Sequence, residues 1–183
     1  MKFVSTRGQA GSVSFSEAVA QGLAPDGGLY LPFEFPDITH FLSDWEKMSY
    51  SELCFSFFRL FATDIKEDIL REIVEDAYSR FSHNEIAPII SLEENLKVLE
   101  LFHGPTLAFK DFALQVIGNM YERILKNNNL KISIVVATSG DTGAAAINAI
   151  KNIKNMKIFV LHPENKVADV QRKFMTTVNS KNV

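Results

Sequence analysis

The second half of the chain alternates short apolar runs with amphipathic segments, and this alternation limits the possible folds more than any other feature. Strands are predicted at residues 97–102, 131–137 and 156–161. Helices are predicted at about 111–126, stopped by the three asparagines 127–129, at about 142–152, and at about 167–177. Three successive strand–helix pairs are typical of a parallel, doubly wound α/β sheet covered on both faces, with ligands bound beyond the carboxyl ends of its strands.

The first half predicts a mostly helical accessory region. Ser-x-x-Glu capping boxes begin two helices after Ser14 and Ser49, and Gly22 closes the first of them. A third helix is predicted over residues 64–81, where apolar residues recur at helical spacing.

The helical periodicity then lapses around residues 84–94. We therefore expect two domains, an accessory domain at 1–90 and an incomplete α/β domain at 91–183.

Composition narrows the classes of function. The chain has 46% hydrophobic residues and a net charge of −3 with both signs interspersed, which disfavours nucleic acids and anionic membranes as partners and favours a small molecule. No apolar run approaches membrane-spanning length. The single cysteine, Cys54, lies among apolar neighbours and predicts a buried, reduced thiol in the cytoplasm. No residue spacing suggests a metal site.

One lysine stands at the start of a predicted helix. Lys110 follows a turn at residues 104–105 and is flanked by Phe109 and Phe112. Apolar surroundings disfavour a charged amine and lower its pKa, as a nucleophile toward a carbonyl requires. Taken alone, however, Lys110 is better explained as a surface lysine whose stem covers apolar side chains.

A polar loop with two glycines follows the second predicted strand. Residues 138–143 lead directly into a helix, whose free N–H groups and dipole would suit a carboxylate or phosphate. The alternative is an ordinary capped turn with Ser139 or Asp141 as the N-cap. The spacing matches neither the Walker loop nor the dinucleotide fingerprint, so ATP and NAD are not indicated.

Five stretches together resemble threonine synthases, pyridoxal-phosphate enzymes of the tryptophan synthase β, or fold type II, group. They are residues 5–8, 22–30, 102–113, 138–143, and 162–163 with 169–173. The resemblance covers essentially the whole chain and implies an N-terminal accessory domain followed by the start of the cofactor-binding α/β domain. Because threonine synthases continue well beyond Val183, it also implies an N-terminal fragment, without the residues that bind the cofactor phosphate and pyridine nitrogen.

The resemblance also implies a reaction and the residues that perform it. Threonine synthases convert O-phospho-L-homoserine and water to L-threonine and phosphate by γ-elimination and β-replacement. Lys110 matches the lysine that holds pyridoxal phosphate and transfers protons, and Asp141 is expected to contact the cofactor. The expected substrate-binding residues are Ser139, Gly140, Asp141, Thr142 and Gly143.

Other functions remain open. The chain could belong to a threonine-synthase-like phospholyase acting on a phosphorylated amino alcohol, or serve as a non-catalytic structural module. As a fragment it is expected to be inactive alone and to self-associate through an exposed sheet surface. The resemblance to threonine synthases further implies that Arg7 and the turn at residues 26–28 help close the substrate site.

Overall fold

The computed structural model describes residues 1–128 and 131–183, within which the chain forms a mixed α/β fold. The helices are Phe15–Gln21 (α1), Leu42–Trp45 (α2), Tyr50–Phe61 (α3), Glu67–Tyr78 (α4), Asp111–Asn128 (α5), Asp141–Ile150 (α6) and Asp169–Thr176 (α7). The strands are Phe3–Ser5 (β1), Tyr30–Pro32 (β2), Ile89–Glu93 (β3), Leu96–Leu99 (β4), Ile132–Ala137 (β5) and Met156–Leu161 (β6).

The chain divides into two units, Met1–Glu75 and Asp76–Val183. The predicted domain boundary near residue 90 stays a prediction. None of the helices in the described ranges is long and apolar enough to cross a membrane.

Capping boxes begin α1 and α3, as the sequence predicts. The Ser14 hydroxyl accepts from the Glu17 N–H at 3.3 Å, and the Glu17 carboxylate accepts from the Ser14 N–H at 2.8 Å. The same reciprocal pair begins α3 at Ser49. Gly22, with φ of 71°, ends α1. The third predicted helix is shorter than expected, because α4 covers Glu67–Tyr78 rather than residues 64–81.

In the first unit, one carboxylate connects the segment after β1 to the turn before β2. Asp26 accepts from the Ser5 hydroxyl at 2.7 Å, from the Gly28 N–H at 2.9 Å and from the Gln9 N–H at 3.0 Å. The Ser5 hydrogen bond is the largest of several that lower the pKa of Asp26. The Arg7 guanidinium donates to the Asp26 carbonyl oxygen at 2.9 Å. The predicted turn at residues 26–28 is therefore bound closely to the segment after β1.

In the second unit, β5 and β6 form a parallel pair, in register from Ile132 opposite Met156 to Ala137 opposite Leu161. Helix α6 packs on one face of this pair, where its small residues and Ile147 form a buried core. Side chains on the other face are exposed, among them Val135 at 66% and Phe159 at 54%. This pair is thus the start of the expected α/β sheet, and within the part of the chain that the structure describes α6 lies on only one of its faces.

The first predicted strand of the parallel sheet lies elsewhere. Residues 97–102 were expected to begin that sheet, but β4 pairs antiparallel with β3, which the sequence analysis did not predict. Only residues 94–95 connect β3 to β4, and so short a connection joins antiparallel strands because a parallel pair needs a crossover of a dozen or more residues.

The later elements agree closely with the predictions. Strand β6 has the predicted bounds, β5 begins one residue later, and α5, α6 and α7 lie within two residues of their predicted limits. Asn129, part of the predicted stop of α5, lies outside the described residues.

The turn around Asp26 leads to a stability prediction. A Cβ added at Gly28 would collide with the buried Ser5 hydroxyl and lie 3.1 Å from the Arg7 N–H nitrogen. We expect Gly28→Ala to lower the free energy of unfolding by about 1–3 kcal/mol, the usual cost of overpacking, as measured by urea denaturation. A Cβ at Gly11 meets nothing within 4 Å, so Gly11→Ala should stay within about 0.5 kcal/mol of wild type. Equal effects of the two substitutions would contradict this account.

Candidate functional site

Lys110 lies immediately before α5, and its carbonyl oxygen accepts from the Leu114 N–H at 2.9 Å in the first turn. Its Nζ is 3.4 Å from Oδ2 of Asp141, the first residue of α6. The Lys110 side chain is 32% exposed and that of Asp141 is 38% exposed. The structure thus brings together the two stretches that the sequence analysis singled out, at a position that solvent reaches.

The aromatic surroundings of Lys110 differ from those predicted. Its Nζ lies 4.3 Å from the centroid of the Phe109 ring, which is itself 57% exposed. The Phe112 ring packs in a separate cluster, 4.9 Å from the Phe81 centroid and 6.4 Å from that of Tyr78. Phe109 and Phe112 therefore do not enclose the amine together.

A buried carboxylate, which the sequence analysis missed, holds the turn that carries Lys110. Asp111 is fully buried and accepts from the Thr106 N–H at 2.8 Å and from the Thr106 hydroxyl at 2.9 Å. A Cβ at Gly104 would lie 2.5 Å from the Asp111 carboxylate, so glycine is required where the turn passes it. Burial raises the pKa of Asp111, against the lowering effect of the Thr106 hydrogen bonds. An acidic residue at a helix start, shortly after Gly-Pro-Thr, is the signal that could have revealed this contact.

The loop before α6 is stabilised by a hydroxyl group. The Thr138 Oγ1 accepts from the N–H groups of Gly140 and Gly143, both at 3.0 Å, and Gly140 is the N-cap residue with φ of 150°. Neither Ser139 nor Asp141, the two residues named for the alternative of an ordinary capped turn, is the N-cap residue. Thr138 supplies the acceptor because its side chain points from the end of β5 into the first turn of α6.

The same loop has fewer free donors than the sequence suggests. Besides the two N–H groups bound by Thr138, the Thr142 N–H donates to Oδ1 of Asp141 at 3.0 Å. In the residues that the structure describes, no hydrogen bond satisfies the N–H of Ser139 or of Asp141. An anionic ligand would therefore meet these two donors rather than a whole ring of them.

Helix α7 packs against both glycines of the loop. A Cβ at Gly140 would collide with the Gln171 side chain, and a Cβ at Gly143 would lie 2.7 Å from the Met175 sulfur. Between α7 and residues 106–109 is an open cleft of about 370 Å³, lined in part by Asp141. The site is thus open on the side that Asp141 faces.

Other predicted or neighbouring groups lie apart from this pair. Arg7 belongs to the first unit, so its role in closing the site stays a prediction. His103 is 2.7 Å from the Glu100 carboxylate, at the base of the Lys110 turn. Within residues 1–128 and 131–183, no three His, Cys, Asp or Glu side chains are grouped so as to hold a metal ion.

Comparisons with known proteins agree with one another. Residues 2–78 match the family model described as "Threonine synthase N terminus". The whole chain is 44% identical over 185 residues to threonine synthase from Pseudomonas aeruginosa. The chain is thus similar, over its whole length, to the N-terminal part of threonine synthases. It also superposes over its full length, at a TM-score of 0.95 and 43% identity, on a structure of PLP-bound threonine synthase from Brucella melitensis.

The family match concerns the N-terminal part of these relatives. The chain spans 39% of the Pseudomonas threonine synthase and 40% of the Brucella chain. It is also 41% identical to "Threonine synthase-like 2" of Pongo abelii, of which it spans 38%.

The buried carboxyl gives a pH prediction. Burial holds the folded-state pKa of Asp111 above 3.8, the value for an unburied aspartate. At pH values between 3.8 and this raised pKa, the folded chain therefore binds more protons than the unfolded chain. The contribution of Asp111 to stability therefore grows as pH falls through this window and is lost as pH rises. We expect the free energy of unfolding of wild type, minus that of Asp111→Asn, to increase as pH falls from neutral toward 3.8 in urea titrations.

Asp26 supplies the opposite control. Hydrogen bonds lower its pKa, so its contribution to stability should be lost as pH falls below 3.8, and the corresponding difference for Asp26→Asn should shrink there. A difference for Asp111→Asn that also shrinks at low pH would show that the Thr106 hydrogen bonds outweigh burial.

Proposed function

We propose that this chain provides the lysine-bearing side of a pyridoxal-phosphate site in threonine synthesis. The reaction is the conversion of O-phospho-L-homoserine and water to L-threonine and phosphate. One observation carries the proposal: in a chain similar to the N-terminal part of threonine synthases, the Lys110 amine lies 3.4 Å from the Asp141 carboxylate at the start of α6.

The donor set of the site fits the cofactor. Pyridoxal phosphate supplies an aldehyde that condenses with a primary amine and a pyridine ring that withdraws electrons from the attached carbon. Lys110 offers such an amine, with its side chain 32% exposed, and the cleft beside Asp141 is open to a small molecule.

The two carboxylate oxygens of Asp141 have different partners. Oδ1 accepts from the Thr142 N–H at 3.0 Å, which fixes the plane of the carboxylate, and Oδ2 faces the Lys110 amine. In the proposed reaction Asp141 holds the amine in place, and Lys110 accepts and returns protons beside the bound substrate.

The loop would bind the substrate through its backbone. The N–H groups of Ser139 and Asp141 are the donors we assign to the substrate carboxylate, since Thr138 and Asp141 already accept from Gly140, Thr142 and Gly143. The glycines keep the backbone clear of side chains where α7 packs on the loop.

A second candidate is a threonine-synthase-like phospholyase. It is favoured by the 41% identity to a protein named "Threonine synthase-like 2", which is close to the 44% found with a threonine synthase. Two assays separate these activities. A threonine synthase forms threonine from O-phosphohomoserine, whereas the phospholyase releases phosphate from a phosphorylated amino alcohol. A non-catalytic module is the third candidate, and it requires that Lys110 have no special reactivity toward an aldehyde.

We also propose a cytoplasmic location and self-association of the 183-residue chain. The location is supported by the cysteine content: Cys54 is the one cysteine of the 183 residues, so the chain cannot form an internal disulfide. The self-association is supported by the uncovered face of β5 and β6, where Val135, Phe159 and Leu161 are 66%, 54% and 61% exposed.

Self-association through the sheet can be tested by sedimentation velocity. We expect the chain to form dimers or larger species in the micromolar range, and Phe159→Lys to shift it toward monomer because a charge then stands on the apolar face. Lys154→Ala alters an exposed residue that precedes β6 and does not belong to the strand face, so it should leave the association unchanged. A monomeric wild-type chain would contradict the proposal.

The central test is chemical labelling of the amine. The chain is mixed with pyridoxal phosphate and reduced with borohydride, and the adduct is located by peptide mass spectrometry. We expect selective labelling of Lys110, its loss in Lys110→Ala, and no change in Lys154→Ala, because Lys154 is an exposed lysine outside the site and outside the strands. Labelling scattered over surface lysines would contradict the proposed role of Lys110 in this chain.

A further inference from the structure

A buried polar side chain links α5 to α6. Gln115 is 1% exposed and lies on the same face of α5 as Asp111. Its Nε2 donates to Oδ1 of Asn148, on α6, at 3.4 Å, and its Oε1 accepts from the Arg80 guanidinium at 3.3 Å. A hydrogen bond from Gln115 also contributes to the pKa of the buried Asp111. Both ends of the amide therefore have partners inside the protein.

Close packing of the two backbones also fixes how α5 crosses α6. A Cβ added at Gly118 would lie 2.6 Å from the carbonyl oxygen of Ala149, so the backbones of α5 and α6 approach closely there. Gly118 lies one turn after Gln115, and Ala149 directly follows Asn148. The hydrogen bond and the backbone contact thus lie side by side, and together they restrict sliding of one helix along the other.

This link is connected to the site on both helices. On α5, Asp111 holds the turn that carries Lys110, through its hydrogen bonds to Thr106. On α6, Asn148 lies two turns after Asp141 and therefore on the same face of the helix. A change in the Gln115–Asn148 contact would alter the placement of Lys110 relative to Asp141.

We propose that Gln115 is a positioning residue that sets the separation between the Lys110 amine and the Asp141 carboxylate. The proposal deepens the function proposed above, since it concerns the same site. Methionine has nearly the size of glutamine but lacks the amide group, so Gln115→Met keeps the packing volume and removes the hydrogen bonds to Asn148, Arg80 and Asp111.

The test measures the reactivity of the Lys110 amine directly. The whole chain is acetylated with a trace of isotope-labelled acetic anhydride, and mass spectrometry gives the rate at Lys110 relative to the exposed Lys154. An amine engaged by a carboxylate reacts more slowly than a free one. We expect Gln115→Met and Asp141→Asn each to raise this ratio by about threefold or more, the size expected for coupled neighbours.

The double variant, Gln115→Met with Asp141→Asn, shows whether Gln115 positions the Lys110–Asp141 pair or only stabilises the fold in general. If Gln115 acts through the Lys110–Asp141 pair, Gln115→Met adds nothing once Asp141→Asn is present. If the two effects multiply independently, or if Gln115→Met leaves the ratio unchanged, the proposal is overturned.

Two further variants control for stability and folding. Met120→Ala removes a buried side chain of α5 without touching the polar link, so it should lower the melting temperature and leave the Lys110 ratio unchanged. Asn148→Ala breaks the same link from α6. If Gln115→Met does not fold, Asn148→Ala replaces it in the comparison of single and double variants. Because acetylation does not use pyridoxal phosphate, failure of Lys110 to form the borohydride adduct overturns the proposed function alone.

Discussion

The buried carboxylate of Asp111 determines the local structure around Lys110. A carboxyl group that is removed from water must be hydrogen-bonded or neutral, and here the chain turns back so that Thr106 donates to it twice. The turn can pass this close to the Asp111 carboxylate only because residue 104 is glycine. Lys110, which directly precedes Asp111, is therefore held at the start of α5 by contacts that lie in the interior rather than by its own exposed side chain.

Helix packing also fixes the position of Asp141 relative to Lys110. The contact of Gly118 with Ala149 brings α5 against α6, and α6 packs on β5 and β6 through its small residues. Since the loop of residues 138–143 connects β5 to α6, the placement of Asp141 depends on the same core. The exposed face of the strand pair contributes nothing to this core.

The sequence predicts the elements of the fold better than their pairing. Capping boxes at Ser14 and Ser49 and the strand at residues 156–161 follow local rules, and the structure agrees with each of them. The antiparallel pairing of β4 was missed because a single apolar strand looks alike in either sheet until its neighbour is known. Lys110 and Asp141 were nevertheless expected together, although the strand assumed to precede Lys110 lies outside the parallel sheet. Asp111 and Gln115 were missed because burial of a polar residue is a property of the tertiary fold.

The magnitude of the Lys110–Asp141 interaction indicates what it contributes. Both side chains are about one-third exposed and 3.4 Å apart, and pairs of this kind contribute only about 0–1 kcal/mol to stability. The buried groups that hold them, Asp111 and Gln115, carry a desolvation cost that such a pair cannot offset. A weak ion pair supported by costly buried polar groups is poorly explained as a device for stability. Under the proposed function it is better explained as a device for placement, because catalysis depends on the position of an amine to within fractions of an ångström and not on the strength of its resting contact.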